Sequence, residues 1–142
     1  MKNEPPVTLR PIGYVRTDAK KIPRHWSVSD EEGILDVFPE YAGGLKDIES
    51  GQRIVVLFHF HKSPEFNEGY LFQTPPNRSE PRGVFSICSP IRPNPIGMSV
   101  VEVLDIQDSR IRVRHIDMID GTPILDIKPL VTGNDDCPSS AA

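Results

Sequence analysis

The segment Arg92-Pro93-Asn94-Pro95-Ile96-Gly97-Met98-Ser99 constrains the fold more than any other part of the chain. Pro93 and Pro95 fix their own φ at about −65°, remove two backbone donors and restrict the residue before each of them to extended geometry. The segment therefore predicts a stiff loop, neither a helix nor a central strand. Its carbonyl groups could face a cation or a hydroxyl without reorganisation. A plain connector between two strands is the alternative interpretation.

Composition favours a mainly β protein with one domain. The chain has 142 residues, of which 37% are hydrophobic and 25% charged, enough for one compact core. Its 15 prolines are about twice the average usage. Short strands without βαβ alternation predict a single-domain antiparallel β-barrel with a short connecting helix, or a sandwich. We expect this domain over residues 9–130, with flexible segments at 1–8 and 131–142.

Hydrophobic patterning places the main elements of this domain. The run from Arg53 to His61 indicates a strand buried on both faces, and the strict alternation from Arg110 to Ile116 indicates another. Further strands are predicted at Gly83–Cys88 and Met98–Ile106, and a short helix between Pro39 and Ser50.

Charge and cysteine content exclude several classes of protein. A net charge of −4 argues against a general nucleic-acid coat, although Arg78 and Arg82 could form a local basic patch. No run approaches the roughly 18 apolar residues of a membrane span, and the two cysteines are far apart. His59 and His61 would share one face of a strand, but structural metal sites need about four ligands. We expect a cytoplasmic protein with no metal and no membrane contact.

Three segments, in order along the chain, resemble one known family. They are His59-Phe60-His61-Lys62-Ser63, the stretch from Gly83-Val84-Phe85 through Ser89 to Ser99, and Asp117-Met118-Ile119-Asp120-Gly121-Thr122-Pro123-Ile124-Leu125-Asp126-Ile127-Lys128-Pro129. Together with Pro11–Thr17 and Ile22-Pro23-Arg24, they resemble the TsaA-like family, of the YaeB or TrmO type, from Leu9 to Leu130. The resemblance implies a dimeric β-barrel that uses S-adenosylmethionine to methylate N6 of threonylcarbamoyladenosine beside the tRNA anticodon.

The resemblance also implies which residues hold the cofactor and the substrate. The cofactor-binding residues are expected to be Arg24, His25, Trp26, Phe60, His61, Cys88, Met98, Arg114, His115, Ile116 and Asp117. We assign Arg92, Asn94 and Lys128 to substrate binding. Aromatic faces such as Phe60 suit a sulfonium, because a good cation–π contact contributes about 0.5 to 2 kcal/mol.

Methyl transfer to an amide-like nitrogen also requires the loss of a proton. The ionisable candidates in the matched motifs are His61, Asp120, Asp126 and Lys128. We expect Asp126, which lies between apolar residues, and His61 to be the catalytic groups. The alternatives are structural: Asp120-Gly121 suits a turn, and Asp126 and Lys128 could form an ion pair.

The chain departs from the family pattern in a few places. His25-Trp26 replaces the usual Gln-Pro, Cys88 replaces an arginine and Leu130 replaces a tyrosine. Losing an arginine removes up to about five donors, so another residue would have to supply that contact. We expect a short form of the family, without the C-terminal domain of longer members. Two other functions therefore stay open: a cofactor-binding sensor or accessory protein, and a methyltransferase with a different small or nucleobase-like substrate.

Overall fold

The fold is a closed β-barrel, as seen in a computed structural model that describes residues 4–133. The strands are β1 (Gly13–Arg16), β2 (Glu32–Val37), β3 (Arg53–His59), β4 (Phe72–Gln73), β5 (Arg82–Gly83), β6 (Ile96–Gln107), β7 (Arg110–Arg114) and β8 (Pro123–Pro129). Six of them close in the order β1-β2-β7-β6-β3-β8, and every pair is antiparallel. β4 and β5 form a separate two-stranded sheet. The predicted mainly β, antiparallel barrel is confirmed.

Helical structure in the described residues is limited to short 3₁₀ helices. They are Trp26–Val28, Pro39–Leu45, Glu68–Tyr70 and Val84–Ser86. Pro39–Leu45 is the connecting helix predicted between Pro39 and Ser50, and Pro39 occupies its first turn, where a missing N–H costs nothing. None of these helices is long or apolar enough to cross a bilayer, a finding that covers residues 4–133.

The barrel interior is filled by alternate residues of each strand. Ile54, Val56 and Phe58 of β3 point inward and are at most 3% exposed. Their neighbours Val55 and Leu57 are only half-buried. The expectation that this run is buried on both faces was therefore wrong, because the outer face of the strand is only partly covered.

Three predicted boundaries also differ from the structure. β6 begins at Ile96, so the stiff loop ends at Pro95 and the remainder of the segment extends β3–β6 pairing. The strand predicted at Gly83–Cys88 is short, because Val84–Ser86 turns into a 3₁₀ helix. β7 ends at Arg114, and His115 has a φ of +82° that breaks the strand.

The arginine stripe of β7 forms ion pairs on the outer surface of the barrel. Arg110 lies 3.6 Å from Asp36, and Arg112 lies 2.7 Å from Asp105 and 2.9 Å from Glu32. These side chains are between 31% and 67% exposed, so each pair adds little stability. The stripe is a solvated strand face.

Three long connections of the barrel contain expected cofactor residues, and all three lie at the same end. β1, β3 and β7 end there, and β2, β6 and β8 begin there, because neighbouring strands are antiparallel. The three connections are residues 17–31, 60–95 and 115–122. The opposite end has the connections 38–52 and 108–109. The barrel topology therefore gathers sequence-distant motifs at one end, which we call the site end.

Candidate functional site

Two adjoining cavities open at the site end. The first, the barrel-end cavity, has a volume of about 350 Å³ and is lined by Phe58, Phe60, His61, Lys62, Ser63, Pro64, Pro90, Asp117, Met118, Ile119 and Thr122. The second, the proline-loop cavity, measures about 310 Å³ and is lined by His59, Phe60, His61, Ser63, Pro64, Glu65, Phe66, Arg92, Pro93 and Pro95. Phe60 and His61 line both. A mostly apolar hollow with a few polar groups is the usual form of a small-molecule site.

The apolar wall of the barrel-end cavity is a pair of phenylalanines. The rings of Phe58 and Phe60 meet edge to face, with centroids 5.0 Å apart and an angle of 75° between the ring planes. This arrangement is favourable for aromatic pairs, so it holds the Phe60 ring in place. Gly97 on β6 leaves room for both rings, since a Cβ there would lie 2.8 Å from Cζ of Phe60 and closer still to Phe58. Gly97 is thus required by the aromatic wall.

Asp117 supplies the charged group of the same cavity. Its Oδ1 accepts a hydrogen bond from Oγ of Ser99 at 2.5 Å, and the main-chain N–H of Trp26 also donates to its carboxylate. Burial raises the pKa of Asp117 above the ordinary value for aspartate, and these donors and the nearby His25 only partly oppose the rise. A carboxylate beside an aromatic face is a suitable environment for a cationic ligand.

The turn that carries Trp26 is held in place by its own side chains. Nδ1 of His25 caps the 3₁₀ helix by accepting from the Ser27 N–H at 3.3 Å, and it lies 2.7 Å from Ser27 Oγ. The imidazole also packs on the Trp26 indole, with centroids 5.0 Å apart. His25 therefore orders this turn beside Asp117. Arg24, which precedes it, is exposed.

His115 and Ile116 direct their polar groups into the protein. Their main-chain N–H groups both donate to the carbonyl of Glu31, at 2.9 and 3.0 Å. The carbonyl of Ile116 accepts from Oγ of Ser29, and Nδ1 of His115 donates to the carbonyl of Ser29 at 2.7 Å. These bonds join connection 17–31 to connection 115–122. The main-chain N–H groups of these two expected cofactor residues are thus already bonded within the chain.

Several polar groups of the proline loop form hydrogen bonds within the chain. The Pro95 carbonyl accepts from the Phe60 N–H at 2.8 Å, and the Asn94 carbonyl accepts from the Ile96 N–H at 2.7 Å. Nη1 of Arg92 donates to the carbonyls of Ile87 and Ser89, both at 3.0 Å. Stiffness of the loop stays a prediction, and these two carbonyls stabilise the loop and do not face a ligand freely.

Several expected site residues lie outside the two cavities. Cys88 and Asn94 are exposed, Met98 is 56% exposed on the outer face of β6, and Arg114 lies 3.4 Å from Glu102. Asp126 and Lys128 of β8 face each other at 3.3 Å, with side chains 49% and 59% exposed. The structural alternative for this last pair, an ion pair at the surface, is the arrangement observed.

The other ionisable candidates occupy different positions. His61 lies beyond the end of β3, where its N–H turns back to the carbonyl of His59 at 2.8 Å, so the two histidines do not alternate along a strand as expected. No group of three or more metal-ligating side chains occurs within residues 4–133. Asp120 accepts from the Thr17 N–H at 3.0 Å and lines a separate open groove of about 780 Å³. None of the expected cofactor residues lines this groove.

Sequence reasoning missed two buried polar contributors, Ser99 and Thr122. Ser99 is fully buried and points inward in the alternation of β6, between Gly97 and Val101. A serine at an inward strand position needs a hydrogen-bond partner, which was an available signal. Thr122, 3% exposed, lines the barrel-end cavity and donates to the carbonyl of Ile119 at 2.7 Å.

Comparison with known proteins identifies the family. Residues 14–136 match the family model described as the tRNA-methyltransferase O N-terminal domain. The chain belongs to this family, which confirms the resemblance to TsaA-like proteins of the TrmO type. It is 43% identical to a probable S-adenosyl-L-methionine-binding protein of Pyrococcus abyssi, over 88% of this chain and 68% of that protein. It is 42% identical to an S-adenosyl-L-methionine-binding protein of Archaeoglobus fulgidus, over 84% of this chain and 86% of the relative.

Solved structures of the family have the same fold. The crystal structure of TrmO from Pseudomonas aeruginosa superposes with a TM-score of 0.72 at 31% identity, and the match covers 99% of this chain and 62% of that one. The chain therefore spans about three fifths of the length of that structure. A mouse tRNA (adenine(37)-N6)-methyltransferase is 37% identical over 88% of this chain and 31% of its own length.

Proposed function

We propose that this member of the tRNA-methyltransferase O N-terminal domain family binds S-adenosylmethionine at the site end and methylates N6 of threonylcarbamoyladenosine in tRNA, in the cytoplasm. The observation that carries the proposal is the barrel-end cavity itself. It brings Phe60, His61 and Asp117, which are distant in sequence and expected at the cofactor from the family motifs, into one hollow.

The lining of this cavity fits the cofactor. S-adenosylmethionine supplies an electrophilic methyl group on a positively charged sulfur. The face of Phe60 and the carboxylate of Asp117 would stabilise that charge, and the apolar side chains of Met118 and Ile119 would keep water away from it. The rigid edge-to-face packing of Phe60 on Phe58 positions the ring before any ligand binds.

Proton removal from the acceptor nitrogen is assigned to His61. His61 is half-buried and lines both cavities, so a substrate entering from either one would meet its imidazole. Asp126, the other candidate, lines neither cavity and forms an ion pair with Lys128. A base must come within about 3 Å of the proton, directly or through one water. Arg92 and Asn94, in the neighbouring loop, remain assigned to the substrate.

Calorimetric titration with S-adenosylmethionine tests the cofactor site. We expect Phe60→Leu to weaken binding by about 2- to 30-fold, because it removes one cation–π contact. Phe38→Leu is the matched control. Phe38 lies in the connection at the opposite end of the barrel, where its ring packs on Tyr14 of β1. Absence of binding by the unaltered protein at high micromolar cofactor would refute the proposal.

Transfer of a labelled methyl group tests the acceptor. The protein is incubated with labelled cofactor and either tRNA that carries threonylcarbamoyladenosine or tRNA that lacks it. We expect label only in the modified tRNA. Label in neither tRNA, with cofactor binding intact, would refute the tRNA reaction.

A sensor or accessory protein is the second candidate function. It is favoured by the names of the relatives from Pyrococcus and Archaeoglobus, which state cofactor binding and no reaction. It is also favoured by the exposed thiol of Cys88, where the family pattern has arginine. Binding of the cofactor without transfer to any tRNA or nucleoside would support it.

We further propose that the protein is a homodimer. Exposed apolar side chains on the outer face of β6, Ile96 at 40% and Met98 at 56%, offer a surface that a second copy could cover. Met98 is an expected cofactor residue outside both cavities, so a partner would bring it into a site that a single chain leaves open. Sedimentation that shows only monomer at micromolar concentration would contradict this arrangement.

A further inference from the structure

The connection between β3 and β6 contains a hydrogen-bonded projection, which we call the β4–β5 arm (residues 66–86). Nε2 of Gln73 donates to the carbonyls of Tyr70 and Ile91, both at 2.8 Å, and the Val84 N–H donates to the carbonyl of Leu71 at 2.9 Å. Val84 is 2% exposed. The arm therefore has a defined backbone and one anchored side chain.

Large apolar side chains on this arm face solvent. Leu71 is 42% exposed, Phe72 is 69% exposed and Phe85 is 78% exposed. Phe72 pairs with Gly83 across the small sheet, and a Cβ added to Gly83 would touch nothing, so no side chain covers the ring from that strand. Uncovered aromatic rings on a hydrogen-bonded backbone mark a contact surface.

Two free cations accompany these rings. Arg82 pairs with Gln73, next to Phe72, and Arg78 lies in the loop between β4 and β5. Both line a cleft of about 420 Å³ together with Ser79, Glu80, Pro81, Gly83 and Ser86. Neither takes part in the ion pairs among the described residues, whereas the arginines at 16, 110, 112 and 114 all do.

We propose that the β4–β5 arm binds a single-stranded loop of RNA. Bases would stack on Phe72 and Phe85, and phosphates would pair with the guanidinium groups of Arg78 and Arg82. This inference rests on the proposed function, because it assigns the surface that holds the RNA carrying the methyl acceptor.

The position of the arm supports that role. The chain leaves the barrel at His61, lines the barrel-end cavity as far as Pro64, forms the arm, and returns to the cavity wall at Pro90. An RNA loop held on the arm would thus lie beside the cavity that receives one of its bases. Enzymes that modify a base take it out of the stack in this way.

A second copy of this chain is a less suitable occupant of the arm. Twofold pairing of one arm with another would bring four unpaired guanidinium groups together, and each arm would add only Glu80 as an acid in the cleft. Phosphates, by contrast, complement these cations. The overall charge of −4 restricts such binding to a local surface of this kind.

Fluorescence anisotropy with a labelled RNA hairpin that has the sequence of a tRNA anticodon arm tests the inference. The full chain is compared with the double variants Phe72→Ser/Phe85→Ser and Arg78→Gln/Arg82→Gln. We expect each double variant to bind the hairpin at least about tenfold more weakly. For the arginine variant, the salt dependence should also weaken: the magnitude of the slope of log affinity against log salt should decrease by about one to two. Arg110→Gln, on the outer face of β7, is the matched control and should bind as the unaltered protein does.

Four further readouts, namely cofactor titration, circular dichroism, methylation and oligomeric state, separate the possible results. Cofactor titration and circular dichroism of the variants should match those of the unaltered protein, since the arm side chains are exposed. If the unaltered protein methylates tRNA and both double variants bind and methylate it equally well, the arm assignment is overturned while the proposed function stands. If the unaltered protein binds cofactor but neither binds nor methylates RNA, both are overturned. If the phenylalanine variant turns a dimer into a monomer and leaves RNA affinity unchanged, the arm is a self-association surface and the inference fails.

Discussion

Oγ of Ser99 donates to Oδ1 of Asp117 at 2.5 Å, and this bond ties the start of β6 to the connection between β7 and β8. The same carboxylate accepts from the Trp26 N–H, which belongs to the connection between β1 and β2. One half-buried acid therefore joins three parts of the site end, and its state of ionisation affects both the fold and the cavity.

The titration of Asp117 should be visible in protein stability. Burial raises the folded-state pKa above the ordinary value, so between those two pKa values the native state binds more protons than the unfolded state. The contribution of Asp117 to the free energy of unfolding is fully present below the ordinary pKa and is lost as the pH rises through the folded-state pKa. In urea unfolding from about pH 4 to pH 7, the stability advantage of the unaltered protein over Asp117→Asn should shrink.

Ser99→Ala provides the control for this titration. The Ser99 hydrogen bond lowers the pKa of Asp117, so its removal should move the loss of stability to higher pH. An advantage over Asp117→Asn that grows between pH 4 and pH 7 would contradict the assignment, because it would mean that the ionised form is the better accommodated one.

Local sequence patterns predicted the barrel but not the bonds between its connections. The alternation from Arg110 and the proline pair at 93 and 95 each fix geometry within a few residues, so a strand and a stiff loop could be predicted there. The contacts of Asp117 with Ser99 and Trp26 depend on which strand ends meet in space. Nothing within these segments encodes that proximity, so family motifs could name Asp117 and Trp26 but not the hydrogen bond between them or the one to Ser99.

The surface chemistry was harder to predict for the same reason. Asp126 between two apolar residues resembled a buried acid, but the β3–β8 register shifts beyond Leu57, and the side chain emerges beside Lys128. His61 was expected to extend β3, and it turns away because β3 stops at His59. Both outcomes are set by pairing with neighbouring strands.

Gly97→Ala should disturb the aromatic wall of the cavity. The added methyl group would overlap the rings of Phe58 and Phe60, so the rings must shift, at a cost of about 1–3 kcal/mol in unfolding free energy. The affinity for the cofactor should fall as well, because the substitution moves the ring of Phe60. Gly83→Ala is the control, since a Cβ there meets nothing within 4 Å. Equal stability of the two variants, measured by urea unfolding, would show that the rings do not depend on Gly97.

Ser29→Ala should loosen the link between connections 17–31 and 115–122. Ser29 is 2% exposed, and its Oγ donates to the Ile116 carbonyl and accepts from the Glu31 N–H at 3.1 Å. Without the hydroxyl, the buried carbonyl of Ile116 loses its hydrogen-bond donor, which should lower the free energy of unfolding by about 1–3 kcal/mol. Ser50→Ala, at an exposed position in the opposite connection, should change the midpoint of thermal unfolding little. A similarly small change in Ser29→Ala would mean that the Ile116 carbonyl finds another donor.

Single-turnover methylation should distinguish the two candidate proton acceptors. His61→Gln keeps a polar side chain in both cavities but cannot accept a proton near neutral pH, so the rate should fall by about 10²- to 10⁴-fold. Asp126→Asn removes one side of a half-exposed ion pair that contributes at most about 1 kcal/mol, and the rate should stay within about threefold of the unaltered protein. Cofactor titrations of both variants show whether a slow rate comes from the proton transfer or from weaker binding. A large loss in Asp126→Asn with unchanged cofactor affinity would reverse the assignment, because the carboxylate would then have to leave Lys128 and reach the acceptor nitrogen during the reaction.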